Sequence, residues 1–213
     1  DGTLADTSRD ILDAVNVVCE QHNKPKISMD LLHPLINGGS RAMLGAALGV
    51  TSDDHDFQRD RQELFAAYKK THNAKSNLFP GIQDLLTELT KNKITWGIVT
   101  NKPLELAIVL VKQLKIDKNC ACLIGADSTH ANKPSPEPLL IACEELKCSA
   151  KNTIYVGDAV TDIMAATDAG MQSVAVRYGF NTLTPPIEDW NANFIADTAA
   201  DIMQFIKKNM LKK

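Results

Sequence analysis

The sequence predicts an α/β fold: a parallel sheet with helices on both faces, and an all-helical domain inserted near its start. Three observations support this. Residues 8 to about 77 show only helical periodicity, and after residue 79 short apolar runs alternate with helical ones. In addition, 213 residues are enough for a main domain with a smaller insert. We therefore assign residues 1–7 and 79–213 to the sheet domain and residues 8–78 to the helical insert.

The helical insert is predicted from two apolar stripes. The first has Ser8 as a candidate N-cap and is followed by a second stripe further along the chain. The residues of the two stripes are Ile11, Leu12, Val15 and Val18, and then Phe57, Leu64, Phe65 and Tyr68.

The sheet domain is predicted from its alternating elements. The strands are expected at residues 95–100, 122–126, 153–157, 173–176 and 194–196, and the helices at residues 82–90, 104–114, 137–146, 163–169 and 200–210. This alternation is typical of a Rossmann-like parallel sheet, in which ligands bind at the carboxyl ends of the strands. The residues at those ends are Thr100, Asn101, Asp127, Asp158 and Arg177.

Composition excludes several classes of partner. The formal net charge of -3 provides no basic surface for nucleic acid. No apolar run approaches the roughly 18 residues needed to span a membrane. The five cysteines include no C-x-x-C pair, so reduced thiols in a cytoplasmic protein are expected rather than a disulfide framework or a zinc site.

The strongest local signal is the stretch VGDAVTDIMAA. Asp158 follows a strand and a glycine, and Asp162 lies about one helical turn further on, so both carboxylates can face one pocket. Hard oxygen ligands at a strand end suit Mg²⁺. By itself, Asp158 is equally consistent with a cap on the helix that follows.

Two further stretches provide groups for binding phosphate. In IVTNKP, the Thr100 hydroxyl and the amides of Asn101 and Lys102 precede a helix primed by Pro103, although Thr and Asn are also ordinary capping residues. The Lys102 side chain is expected to point to solvent. In ANKPSPEP, prolines stiffen the loop that contains Lys133, whose ammonium can balance carboxylates and phosphate.

The order of these groups resembles the haloacid dehalogenase superfamily, and within it the phosphoglycolate phosphatases. Residues 1–4, DGTL, resemble the second half of that family's first motif, Asp-x-Asp-Gly-Thr-Leu. The resemblance implies that the nucleophile is an aspartate two positions before Asp1, on a first strand that precedes the sequence shown. The alternative is an inactive protein, which the otherwise intact site makes the weaker interpretation.

The resemblance also implies a Mg²⁺-dependent phosphomonoester hydrolase that forms an aspartyl-phosphate. Asp1 is expected to act as general acid and then as general base. The expected metal ligands are the nucleophile, the Asp1 carbonyl and Asp158, with Asp162 either a further ligand or a residue that orients the ligands. The expected phosphate-binding groups are Thr100, the Asn101 amide and Lys133. The partner is then a small phosphate ester, and the protein a monomer or a homodimer.

By the same resemblance, the helical insert corresponds to the family's cap, hinged near residues 5–8 and 78–81. Its glycine-rich break INGGSRAM is expected to place Asn37, Ser40 and Arg41 over the leaving group, with Arg41 binding a substrate carboxylate. A plain interhelical turn with Arg41 in solvent is an equal alternative.

The substrate is open at this stage. INGGSRAM, WGIVTNKP and AVRYGF followed by Trp190 also resemble phosphatases that act on N-acetylmuramic acid 6-phosphate in cell-wall recycling. A β-phosphoglucomutase-like phosphotransferase would keep the same core motifs. Haloacid dehalogenation is disfavoured, because that reaction needs no metal. A phosphonatase is disfavoured as well, because it needs a cap lysine in an apolar pocket. Among non-catalytic proteins, a response-regulator receiver is disfavoured, because its acidic pair precedes its threonine, whereas here the pair follows it. The remaining non-catalytic alternative is an inactive binding protein.

Overall fold

The computed structural model describes residues 1–71, 74–181 and 185–210. The chain forms two compact units, one of residues Asp6–Asn77 and one of Asp1–Ala5 with Leu78–Lys213. It passes from one unit to the other at two short strands, β1 (Ala5–Asp6) and β2 (Asn77–Leu78), which pair with each other.

The first unit is helical between these strands in its described residues. Its helices are α1 (Ser8–Gln21), α2 (Met29–Leu32), α3 (Gly39–Leu48) and α4 (Phe57–Thr71), with a 3₁₀ turn at His33–Gly38. Helix α1 packs against α3 and α4, because its apolar residues recur at helical spacing on one face. The buried core of this unit includes Ala14, Val15, Val18, Leu44 and Leu64.

The start of α1 differs from the sequence prediction. The N-cap position is Thr7, and Ser8 lies in the first helical turn. The Ser8 amide and hydroxyl donate to Asp6 Oδ1, at 3.0 and 2.6 Å. The prediction of Ser8 as the N-cap was wrong because the carboxylate two residues earlier accepts the bond from the helix start.

The second unit contains parallel strands, as predicted. Strand β3 (Ile98–Val99) pairs with β4 (Leu123–Ile124), while β5 (Ile154–Gly157), β6 (Gln172–Val176) and β7 (Phe194–Ala196) form a second parallel sheet in that order. Strands β3 and β4 are shorter than predicted. Backbone bonds nevertheless continue on both sides of them, from Thr100 to Ile124 at 2.9 Å and from Ala121 to Trp96 at 3.0 Å.

Helices cover both faces of the β5–β6–β7 sheet, which confirms the predicted fold class. The helices of this unit are α5 (Ile82–Lys91), α6 (Leu104–Gln113), α7 (Glu137–Glu145), α8 (Val160–Asp168) and α9 (Ala199–Met210). Side chains alternate along a strand, so Val174 and Val176 of β6 pack against α5 and α9. Ala175 between them packs against Ile163 of α8 on the other face.

Within the described ranges, none of the helices is both long and apolar enough to cross a membrane.

Candidate active site

A cavity of about 600 Å³ lies in the sheet-containing unit. Residues of β3 and β5 line it, together with five residues that were predicted from the sequence to belong to the functional site. These five are Asp1, Thr100, Lys133, Asp158 and Asp162. Thr100 and Asp158 directly follow β3 and β5, so the cavity includes the carboxyl ends of these strands, where ligands bind in sheets of this kind.

Asp158 is buried, with 3% of its surface exposed. Its carboxylate accepts hydrogen bonds from the Thr3 hydroxyl at 2.8 Å and from the Phe180 amide at 2.9 Å. The N-cap of α8 is Ala159, so the interpretation of Asp158 as a simple helix cap was wrong. Because the donors come from two distant parts of the chain, the carboxylate has a fixed orientation.

Two glycines permit this close packing around Asp158. Gly2 has a φ of 73°, and a Cβ placed on it would overlap the Asp158 carboxylate. A Cβ on Gly179 would overlap the Asp158 Cβ and the Gly2 carbonyl oxygen. The backbone therefore approaches the carboxylate more closely than any other residue type would allow.

Lys133 and Asp162 form a nearly buried ion pair, with 2.7 Å between Nζ and Oδ1. Lys133 Nζ also donates to the Val99 carbonyl at 3.1 Å and to Tyr155 Oη at 2.8 Å. Asp162 Oδ2 accepts the Ala159 amide at 3.1 Å, which fixes the carboxylate at the start of α8. Three acceptors and one orienting amide thus hold the lysine in place.

The electrostatics of this pair follow from its burial. Desolvation is the largest single effect and by itself would lower the pKa of Lys133, but the interactions with Asp162 and Tyr155 together outweigh it, so the pKa is raised above its ordinary value. Burial also raises the pKa of Tyr155, so this phenol stays protonated. Tyr155 was not predicted as a site residue. The available signal was its place in the strand TIYVG, where side chains alternate between the two faces of the sheet.

Hydrogen bonds link the loop of Thr100 to the loop of Lys133. Asn101 Nδ2 donates to the Lys133 carbonyl at 3.0 Å, and the Lys133 amide donates to Asn101 Oδ1 at 3.2 Å. The Thr100 hydroxyl accepts the Lys102 amide at 3.1 Å. The Asn101 side chain therefore sets the spacing of the two loops.

The start of α6 is capped by a residue from the neighbouring strand end. Asp127 Oδ1 accepts the Leu104 amide at 2.7 Å. The side chain that caps α6 is therefore Asp127, and not Thr100 or Asn101. The expectation of a solvent-exposed Lys102 was wrong. Its side chain is 9% exposed, and its Nζ lies 3.1 Å from Asp1 Oδ2, because the Asp1 carboxylate attracts it.

The acidic side chains of the cavity provide hard oxygen donors, which fit a divalent cation such as Mg²⁺. The carboxylates of Asp1, Asp158 and Asp162 are not all within 4.8 Å of one another. Among the described residues, a set that meets this distance lies in the helical unit and consists of His22, Asp60 and Glu63.

The predicted cap residues all lie in the helical unit. Asn37 is exposed near the end of the 3₁₀ turn, Ser40 is half-buried, and Arg41 is exposed in the first turn of α3. The glycine-rich break is thus a junction between two helical segments.

Residues 1–176 match a family model described as haloacid dehalogenase-like hydrolase. The chain belongs to this family. A family of hydrolases accounts for the carboxylates, threonine and lysine that line one cavity, and the resemblance drawn from the order of the sequence motifs is confirmed.

Relatives of this hydrolase are similar over nearly its whole length. An N-acetylmuramic acid 6-phosphate phosphatase from Pseudomonas putida is 32% identical over 97% of this chain and 92% of its own length. A phosphoglycolate phosphatase from Xanthomonas campestris is 36% identical over 92% of this chain and 89% of its own. The crystal structure of a predicted phosphoglycolate phosphatase from Haemophilus somnus is 26% identical to this chain and has a TM-score of 0.86. The similarity covers 96% of this chain and 94% of that one. Together with the family match, these relatives identify this hydrolase as a phosphatase.

Proposed function

We propose that this phosphatase hydrolyses a small phosphate monoester through an aspartyl-phosphate intermediate and is phosphoglycolate phosphatase-like. The observation that carries the proposal is the Lys133–Asp162 ion pair, which lines the same cavity as Asp1, Thr100 and Asp158. Phosphoryl transfer depends mainly on positioning and on stabilisation of negative charge. A fixed cation beside carboxylates and a hydroxyl at strand ends meets both requirements.

The proposed nucleophile is an aspartate two residues before Asp1. The cavity supports this assignment because its lining extends from Asp1 to Ile98 of β3 and Val156 of β5. Among the described strands, β3 pairs with β4 and β5 pairs with β6, so each has a second edge that can accept a further strand. An apolar strand along this cavity, leading into Asp1, would bring an aspartate at its end to the phosphate.

The residues of the cavity divide the remaining work. Asp1 would protonate the leaving alkoxide and then take a proton from the attacking water. Lys102, 3.1 Å from its carboxylate, would hold Asp1 in position between these two steps. The Thr100 hydroxyl and the Asn101 amide would bind phosphate oxygens at the start of α6, and Lys133 would offset their charge.

Mg²⁺ is the proposed cofactor, because it takes oxygen ligands and usually binds through one or two carboxylates and the substrate phosphate. The residues that would hold it are Asp158, the Asp1 carbonyl and the nucleophilic aspartate, while Asp162 would be a ligand or would orient Lys133. When bound, the ion would polarise the phosphoryl group. Thr3 and the Phe180 amide would keep Asp158 oriented for this role.

The proposed substrate class is a phosphate ester that also carries a carboxylate. Phosphoglycolate and N-acetylmuramic acid 6-phosphate, the compounds in the names of the relatives, share this feature. Arg41 is the proposed carboxylate-binding residue, with Asn37 and Ser40 beside it, because an exposed guanidinium in the first turn of α3 can form two parallel hydrogen bonds to a carboxylate.

N-acetylmuramic acid 6-phosphate is the second candidate substrate. The observation that favours it is the similarity to the Pseudomonas putida phosphatase, which extends over 97% of this chain and thus over the helical unit as well as the sheet-containing unit. Specificity for a bulky sugar acid would then be set by residues of the helical unit around the same Arg41.

The test of the substrate class compares 2-phosphoglycolate with 2-hydroxyethyl phosphate, which lacks the carboxylate. The variants are Arg41→Met and the charge-preserving Arg41→Lys, which cannot form the same paired bonds. We expect Arg41→Met to lower kcat/KM for 2-phosphoglycolate at least about tenfold, a loss of about 1.4 kcal/mol, and to leave 2-hydroxyethyl phosphate nearly unchanged. Equal losses on both compounds would contradict the role of Arg41.

The same assay, with N-acetylmuramic acid 6-phosphate and β-glucose 1-phosphate added, separates the remaining candidates. The higher kcat/KM decides between the two phosphate esters of carboxylic acids. Formation of glucose 6-phosphate without phosphate release would identify a mutase. Binding of these compounds without turnover, by a chain that carries the nucleophilic aspartate, would identify a non-catalytic binding protein.

A further inference from the structure

Two of the five cysteines lie together at the carboxyl end of α7. Cys143 is in the last turn of the helix and is buried, while Cys148 is the exposed cysteine of the five. Cys19, Cys120 and Cys122 are buried or half-buried elsewhere. The α7 pair therefore combines an accessible thiol with a shielded one.

The backbone at the end of α7 brings these two side chains together. The Cys148 amide donates to the Cys143 carbonyl at 3.0 Å, and the Lys147 amide donates to the Glu144 carbonyl at 3.1 Å. Lys147 has a φ of 52°. This is the Schellman arrangement, in which the side chains of the first and last residues are frequently in contact.

The same backbone pattern recurs at four other described helix ends. At the end of α1 it joins Lys24 to Cys19, and at the other three the paired side chains are apolar. The corresponding amide-to-carbonyl bonds join Ile94 to Leu89, Ile116 to Val111, and Met171 to Ala166. At α7 the two positions hold thiols. Their sulfurs lie 3.7 and 3.6 Å from the same atom, Thr153 Oγ1, so they converge on one point.

We propose that Cys143 and Cys148 form a reversible disulfide when the protein meets a hydroperoxide. In the first step the Cys148 thiolate attacks the peroxide, which is reduced to water or alcohol, and Cys148 becomes a sulfenic acid. In the second step the Cys143 thiol attacks that sulfur and loses its proton, so that the S–S bond forms and a water leaves. Two thiols are oxidised and one peroxide is reduced.

The order of these steps follows from exposure. Peroxide reaches Cys148 first, because its side chain is exposed, whereas Cys143 is 6% exposed. Burial raises the pKa of the Cys143 thiol, which keeps it protonated until the neighbouring sulfur becomes an electrophile. The disulfide would protect Cys148 from irreversible oxidation to a sulfinic acid, since the neighbouring thiol traps the sulfenic acid.

The test treats the reduced protein with hydrogen peroxide, alkylates the remaining thiols and maps them by peptide mass spectrometry. We expect a peptide linked through Cys143 and Cys148, and three alkylated thiols where the reduced protein has five. A dithiol reductant should restore all of them. Cys148→Ser, an exposed change, should abolish the linked peptide, whereas Cys120→Ser should leave it unchanged.

Three results would overturn the proposal. One is sulfinic acid at Cys148 while Cys143 stays alkylatable. Another is a Cys148–Cys148 link between two molecules, and the third is a linked peptide that persists in Cys148→Ser. Cys143→Ala provides an independent check that keeps the exposed thiol, and here peroxide should carry Cys148 on to the sulfinic acid. These readouts do not depend on phosphatase activity.

Discussion

Asp162→Asn is the most informative single change in the cavity, because it removes one charge with almost no change in shape. Asparagine keeps an oxygen for the Ala159 amide, but it leaves the Lys133 ammonium without its anion. The two side chains are 10% and 8% exposed, so the charge that remains is poorly solvated. Breaking a buried pair from one side costs about 3–5 kcal/mol.

We expect a cost of about 3 kcal/mol, at the lower end of that range, because the Val99 carbonyl and Tyr155 Oη still accept from the ammonium. The raised pKa of Lys133 means that its contribution is present in full below the ordinary lysine value and is lost only as the pH rises above it. Urea unfolding at about pH 7 and about pH 9 should therefore give the same cost, since the ordinary value is about 10.4.

The matched control is the double variant Lys133→Met with Asp162→Asn, which removes both charges. We expect its free energy of unfolding to lie within about 1 kcal/mol of the wild type, because an uncharged pair leaves no ion buried alone. A cost below about 1 kcal/mol for Asp162→Asn, or a double variant no more stable than the single one, would contradict a buried ion pair of this strength.

Three further changes test single contacts, two in the sheet-containing unit and one in the helical unit. Gly2→Ala should lower kcat/KM about 100-fold, because a Cβ there overlaps the Asp158 carboxylate; wild-type turnover in the phosphate-release assay would contradict this. Asp10→Ala should lower the unfolding free energy by about 1–3 kcal/mol, because the buried Ser76 hydroxyl loses its acceptor, and an unchanged Tm would show that the bond contributes nothing. Asp127→Ala should cost about 1 kcal/mol by removing the cap of α6, and should raise KM more than it lowers kcat; the opposite split would point to a role in the chemical step.

The elements of the fold were predictable where one physical signal dominated. The alternation of apolar runs and helices predicted the positions of β5, β6 and β7 to within a residue or two, because a short apolar run between turn residues is typical of a buried strand. The start of α8 was placed three residues too late. There Asp162 accepts the Ala159 amide and so caps the helix. Because the same side chain also binds Lys133, its capping role could not be recognised from the sequence.

The candidate site was predictable in its residue types and only partly in its contacts. Thr100, Lys133, Asp158 and Asp162 follow from strand ends and the loops beside them, which local sequence reveals. Lys102 was misjudged because its partner lies about a hundred residues away in the chain, and most lysines are solvated. The contacts of Thr3 and Phe180 with Asp158 could not be predicted for the same reason, since they depend on the folded backbone.

The measurement that tests the central proposal most directly is phosphate release from 2-phosphoglycolate and N-acetylmuramic acid 6-phosphate. The protein should include the residues before Asp1 and be assayed with Mg²⁺ or with EDTA. We predict release that requires Mg²⁺, that Asp158→Asn abolishes, and that the exposed control Asp189→Asn leaves unchanged. Release that persists in EDTA, or in the Asp158→Asn variant, would contradict the proposed site.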